Sequence, residues 1–175
     1  GTLFHAQNSR APDPALVGEG WRDMWIERLE NIVLPFELWL RHQRRDSYWK
    51  QVSVSECYET IRCPVYAVGG WADGYHDAIL RLMRELTGPR KALIGPWQHI
   101  YPHQAEPGPG PAINFLDEAL RWWDQWLKSI DTGIKDEPMV RVWMQQSIAP
   151  KPYLEERPGR WVAERSWPSV RIASK

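Results

Sequence analysis

Beyond Pro64 the apolar positions switch between continuous short runs and a helical stripe. Val65-Tyr66-Ala67-Val68 and Ala92-Leu93-Ile94 are unbroken apolar runs of strand length, and between them Ile79, Leu82, Met83 and Leu86 recur every three or four residues, as one face of a helix does. Gly88-Pro89 ends that stripe. The pattern predicts strand, helix, strand: a βαβ unit, whose strands run parallel because the helix is the crossover between them. Upstream, Trp21, Trp25, Leu29 and Ile32 share one face of a helix that follows Gly20, and Pro35 is placed to open a second helix carrying Phe36, Trp39 and Leu40. No strand pattern interrupts this stretch. Residues 1–60 are therefore expected to be short helices, serving either as a cap over a site or as helices packed on a core.

Downstream of the unit, residues 101–111 are rich in Pro and Gly and read as a loop. Asn114 is placed as the N-cap of a long helix with Phe115, Ala119, Leu120, Trp123, Trp126 and Leu127 facing inward. Met139-Val140-Arg141-Val142-Trp143-Met144 reads as a strand, and the Pro-punctuated remainder fits the turns and short strands of an all-β module. The expected fold class is α/β, with a helical segment over 1–60, the parallel sheet unit over 61–135 and the start of a β domain over 136–175.

Composition narrows the function classes. A chain of 175 residues with 43% hydrophobic content can bury a real core. Lys+Arg 22 against Asp+Glu 22 leaves no net charge, so the long-range field that draws nucleic acid or anionic membrane is missing and neither is expected as a partner. The basic cluster Arg41, Arg44 and Arg45 adjoins Asp46 and reads as a solvated helix end. Cys57 and Cys63 match neither a disulfide framework nor a zinc pattern, so reduced thiols and a cytoplasmic location are expected. No apolar run approaches the ~18 residues that span a bilayer.

Candidate chemistry sits at the ends of the two predicted strands. Gly69-Gly70-Trp71-Ala72-Asp73-Gly74 follows the first and Gly95-Pro96-Trp97-Gln98-His99 the second. Loops after the carboxyl ends of parallel strands lie along one edge of the sheet, so Asp73 and His99 are expected to meet. Such a pair suits general base catalysis: neutral imidazole takes a proton and the carboxylate fixes its tautomer. Asp73 before Gly74 would alternatively serve only as a turn former. Asp77 falls inside the predicted helix and is the weaker acid candidate, while His5, His42 and His76 read as surface or packing residues. Trp71, Tyr75 and Trp97 adjoin the pair, either as walls of a substrate pocket or as packing. His99 and His103 have a metal-binding spacing only on a helix, which Pro102 disfavours, so no metal and no cofactor is expected. None of Ser9, Ser47, Ser53, Ser55, Ser129, Ser147, Ser166, Ser169 and Ser174 sits in a Gly-x-Ser-x-Gly elbow.

Five stretches together carry a resemblance: residues 21–28, residues 42–49, Gly70-Trp71-Ala72-Asp73-Gly74, Gly95-Pro96-Trp97-Gln98-His99 and Trp122-Trp123-Asp124-Gln125-Trp126-Leu127-Lys128. They resemble the C-terminal part of the CocE/NonD-type serine hydrolases, the group of cocaine esterase and the X-Pro dipeptidyl-peptidases. The resemblance implies a partial α/β-hydrolase fold with a helical cap over 1–60, the last strands and helices of the hydrolase domain over 61–135, and the truncated beginning of a C-terminal jelly roll over 136–175. It also implies that Asp73 and His99 are the acid and base of a Ser-His-Asp triad. The serine and the oxyanion-hole Tyr of the family lie upstream of its cap, so this chain alone is expected to be inactive. Amino-acid ester hydrolases of the family carry acids shortly after the triad Asp; Tyr75 and His76 stand there in this chain, against that substrate class. A small-molecule ester, acyl amide or X-Pro peptide is the implied substrate. The other reading is a non-catalytic binding or structural remnant of such a hydrolase. Either version predicts self-association, or pairing with a complementing N-terminal segment that carries the serine.

Overall fold

Among the described residues of the first third of the chain, helices are the regular structure, as the lack of strand alternation there predicts. In the computed structural model, which describes residues 6–104, 106 and 108–171, the chain divides into two units, Gly1–Glu56 and Cys57–Lys175. In the first unit α1 (Pro14–Val17) is capped by Asp13, whose carboxylate accepts from the Ala15 N–H at 2.9 Å. The long helix α2 (Trp21–Glu30) turns Trp21, Trp25 and Leu29 to one side, where they are partly shielded while their neighbours are exposed. Pro35 opens α3 (Pro35–Arg41), its ring filling a position that needs no N–H. Asp46 caps α4 (Ser47–Lys50) by accepting from the Tyr48 N–H at 3.0 Å. None of the described residues of this unit is fully buried; it is held by aromatic contacts, with His42 stacked on Tyr48 at 4.4 Å and the Trp49 indole donating to the His42 carbonyl at 2.5 Å.

In the second unit the expected strand, helix, strand order is present as β1 (Val65–Gly70), α5 (Asp77–Glu85) and β2 (Arg90–Gly95). The helix α6 (Phe115–Leu127) and two further strands, β3 (Val140–Gln145) and β4 (Gly159–Glu164), follow. The four strands form one sheet in the order β1-β2-β3-β4. β1 and β2 are parallel, with Val65 opposite Arg90 and Gly70 opposite Gly95; β3 is parallel to β2, and β4 returns antiparallel on β3. The described residues from 136 onward thus contribute strands to the same sheet as the βαβ unit.

Strand alternation gives this sheet two different faces. Ala92, Ile94 and Val140 are on the side covered by α5, where Ile79 and Met83 complete a buried cluster, with Ala67, Trp71 and Trp167 packed around it. Tyr66, Lys91 and Arg141, one residue out of step, are on the other. There the Glu118 carboxylate of α6 accepts from both the Tyr66 hydroxyl and the Arg141 guanidinium, and Trp122 lies 5.2 Å from the Tyr66 ring. This polar contact sets the rotation of α6 and corrects the sequence expectation. Its buried residues are Glu118, Trp122 and Gln125; Phe115, Ala119 and Trp126 are partly shielded; Leu120, Trp123 and Leu127 are exposed. A carboxylate placed between a hydroxyl and a guanidinium has its burial cost offset, whereas turning it outward would leave both donors unpaired under the helix. Asn114 does occupy the N-cap position, but its amide donates to Asp117 and makes no capping bond to the backbone. Among the described residues no helix is long and apolar enough to cross a membrane.

Candidate active site

The ends of β1 and β2 stand side by side, and the loops that follow them are stitched together by backbone hydrogen bonds. Trp71 N–H donates to the Gly95 carbonyl at 2.9 Å and Ala72 N–H to the Trp97 carbonyl at 3.1 Å, while Asp73 N–H folds back on Gly70 at 3.0 Å. The glycines of both motifs make this crossing sterically available. A Cβ on Gly70 would lie 2.0 Å from the Trp97 carbonyl oxygen, and one on Gly95 would lie 2.4 Å from the Trp97 ring. Trp97 is the anchor of the second loop: it is fully buried, and its indole N–H donates to the Pro111 carbonyl at 2.8 Å.

On this frame the Asp73 carboxylate meets His99, Oδ2 to Nδ1, at 2.7 Å. The other oxygen of Asp73 accepts from the Tyr75 N–H at 3.0 Å, and the Asp73 carbonyl accepts from His76 Nδ1 at 2.6 Å. The carboxyl is held below its ordinary value, chiefly by the hydrogen bond from His99; burial works in the opposite direction, and the Tyr75 N–H and the charges of His99 and His76 assist the lowering. A carboxylate that accepts from Nδ1–H puts the lone pair of neutral His99 on Nε2. Only 12% of the Asp73 side chain is exposed, against 82% for His99, so a screened acid orients an accessible base. Both residues line a cleft of about 510 Å³ whose walls include Val68, Trp97, Tyr101 and Phe115. An imidazole held in this way can take a proton at Nε2 and return it, the function of a general base.

The other residues singled out in the sequence fall around this pair in different ways. Tyr75 sets its exposed ring edge-on to His99 at 5.7 Å. Trp97 lines the cleft while anchoring the loop. Trp71 does not line the cleft: its indole donates to the Trp143 carbonyl at 2.8 Å and it packs beside the α5 core cluster. Asp77 is exposed and pairs with His76 Nε2 at 3.2 Å. In the first unit His42 forms a separate pair with Asp46 at 2.7 Å. His103 stacks on Tyr101 at 5.7 Å and on Phe115 at 6.4 Å. His5 and Ser174 lie outside the described residues. No serine lines the cleft among the described residues, and among them no three His, Cys, Asp or Glu side chains cluster as metal ligands would. Sequence reasoning read His76 as a surface or packing residue and Phe115 as an inward face of a helix, and gave Gln98 and Tyr101 no role of their own at the site. His76 had one usable signal, its position three residues after Asp73, within reach of the Asp73 carbonyl once a helix begins.

Comparison with known proteins places these features in a family. Residues 2–101, more than half of the chain, match the sequence profile of the X-Pro dipeptidyl-peptidase (S15) family. Proteins of Mycobacterium bovis and Mycobacterium tuberculosis, whose names call them candidate serine esterases, are each 29% identical to it over 174 residues, covering 96% of this chain and 24% of theirs. The chain therefore spans about a quarter of the length of these relatives. In fold it is similar to a CocE/NonD family hydrolase from Staphylococcus aureus: one crystal structure gives a TM-score of 0.63 at 16% identity over 87% of this chain and 25% of that one, and a second gives 0.59 over 93% and 27%. The chain belongs to the X-Pro dipeptidyl-peptidase (S15) family.

Proposed function

We propose that this chain provides the acid and base of a Ser-His-Asp triad in a serine-dependent acyl hydrolase, Asp73 orienting His99, with the nucleophilic serine brought to the cleft by another segment of the hydrolase. The observation that carries this reading is the 2.7 Å contact between Asp73 Oδ2 and His99 Nδ1, made by loops that leave adjacent parallel strands. The proposed substrate is an ester, an acyl amide or an X-Pro peptide bond. His99 Nε2 removes the serine Oγ proton as Oγ attacks the acyl carbon. It then gives that proton to the departing alcohol or amine, leaving an acyl-enzyme, and water repeats the sequence to release the acid. Asp73 stays ionised throughout and stabilises the imidazolium formed in each half-reaction. The Tyr101 and Phe115 side chains line the cleft in which the acyl or leaving group would sit; the exposed Tyr75 ring does not line it and lies beside His99.

The test is fluorophosphonate labelling together with aryl ester hydrolysis, carried out on the full-length product of the locus and on the 175-residue chain. The longer protein is expected to label and the short chain is not. Asp73→Asn and His99→Ala in the longer protein are each expected to lower kcat by about 10³- to 10⁴-fold. Variants within threefold of the parent would remove Asp73 and His99 from the reaction, and labelling of the short chain would place the nucleophile within it.

A further inference from the structure

The end of the sheet opposite Asp73 and His99 holds a second polar cleft. β2 begins there with Arg90 and Lys91, and Pro138 and Met139 lead into β3. β4 runs antiparallel to β3 with Glu164 opposite Val140, so the next residue, Arg165, arrives at the same end. These side chains, with Trp122, Trp126, Lys135 and Glu137, enclose about 390 Å³.

Charge in this cleft is strongly one-sided. Arg90, Lys91, Lys135 and Arg165 line it with Glu137 as the one carboxylate among the lining residues, and Glu137 is already engaged. The buried Lys91 ammonium and the Arg121 guanidinium both donate to it, the latter at 2.5 Å. Arg90 is fixed by donation to the Met83 and Gly88 carbonyls at 2.8 and 3.1 Å, bonds that satisfy two of its N–H groups and leave its positive charge without a carboxylate partner among the described residues. Lys135 and Arg165 are exposed and have no ion-pair partner among the described residues.

We propose that this cleft binds a phosphate-class oxyanion, with Arg90, Lys135 and Arg165 supplying the charge. Three cations without a carboxylate of their own suit a dianion better than a carboxylate, and Trp122, almost fully buried, leaves no open aromatic face for a large ring. The site is built from the starts of β2 and β3 and the end of β4, so it is separate from the Asp73 and His99 cleft.

Calorimetric titration of inorganic phosphate into the full-length protein at fixed ionic strength, with acetate as comparison, tests this. Saturable phosphate binding is expected, at least tenfold weaker in a Lys135→Gln/Arg165→Gln variant. Both cations are exposed, so their replacement leaves the fold intact. No saturable heat up to about 10 mM phosphate, or equal binding by parent and double variant, would overturn the site. Acetate binding as tightly as phosphate would overturn the ligand class.

Discussion

Asp73 connects local geometry to a measurable dependence on pH. Its carboxyl is lowered from about 3.8, mainly by the hydrogen bond from His99, so folding favours the ionised form. A group of this kind adds stability above its unfolded value, and the contribution disappears as pH falls through the lower folded value. Asp73→Asn should therefore lower the urea midpoint at pH 6, and the gap between variant and parent should close as pH falls from about 4 toward 2. A gap independent of pH would mean that the carboxylate charge contributes nothing at this position. Gly70 acts through space instead of charge. A methyl group there meets backbone, the Trp97 carbonyl at 2.0 Å, and backbone in the middle of two stitched loops has nowhere to move. Gly70→Ala is expected to cost at least ~2 kcal/mol in urea unfolding, and a neutral result would show that the loops can separate. The residues of the pair were legible in sequence because glycine, tryptophan and an ionisable group at the end of an apolar run form a compact local signal. Trp71 was only half legible: its position beside Asp73 was evident, but its partner is the Trp143 carbonyl, seventy-two residues away, which no local pattern reveals.

At the scale of elements, hydrophobic period identified the helices and strands but not always the face each one buries. α5 follows the simple rule: Ile79, Met83 and Leu86 are buried as the stripe predicts, because the sheet surface it covers is apolar. α6 departs from it because the facing side of the sheet presents Tyr66 and Arg141, and the helix answers with Glu118. Burial and the Glu118 contact push the Tyr66 hydroxyl up, which favours its protonated, donating form. Glu118→Ala should leave the Tyr66 hydroxyl and a half-buried Arg141 charge without this acceptor, at a cost of about 3 kcal/mol in chemical denaturation. Glu118→Gln, which retains an acceptor, should cost less, and equal losses for the two would refer the effect to packing. Sequence reading fails at such a helix for a definite reason. Counting apolar positions treats Glu118 as a solvent residue, whereas a carboxylate with two donors beneath it is as well placed inside as a leucine on an apolar sheet.

For the molecule as a whole, what is exposed is as informative as what is buried. Leu116, Leu120, Trp123 and Leu127 follow one another around α6 at helical spacing, and all are more than half exposed. β1 has β2 on one side and no strand partner on the other among the described residues. An apolar helix stripe and an unpaired strand edge in the same unit are the two features that most strongly draw chains together in water. The isolated 175-residue chain is therefore expected to self-associate, with a weight-average sedimentation coefficient that rises with concentration over the micromolar range. Leu120→Ser/Trp123→Ser should reduce that rise without loss of helix, because both side chains face away from the sheet. Two contributions can then be separated. If the double variant still associates fully, the β1 edge carries the contact, and a Pro at Val68, whose ring removes a backbone donor from the strand, should abolish it at some cost in stability. A parent chain that stays a compact monomer at high concentration would show that neither surface is sticky enough to matter, and that the unit tolerates both without a partner.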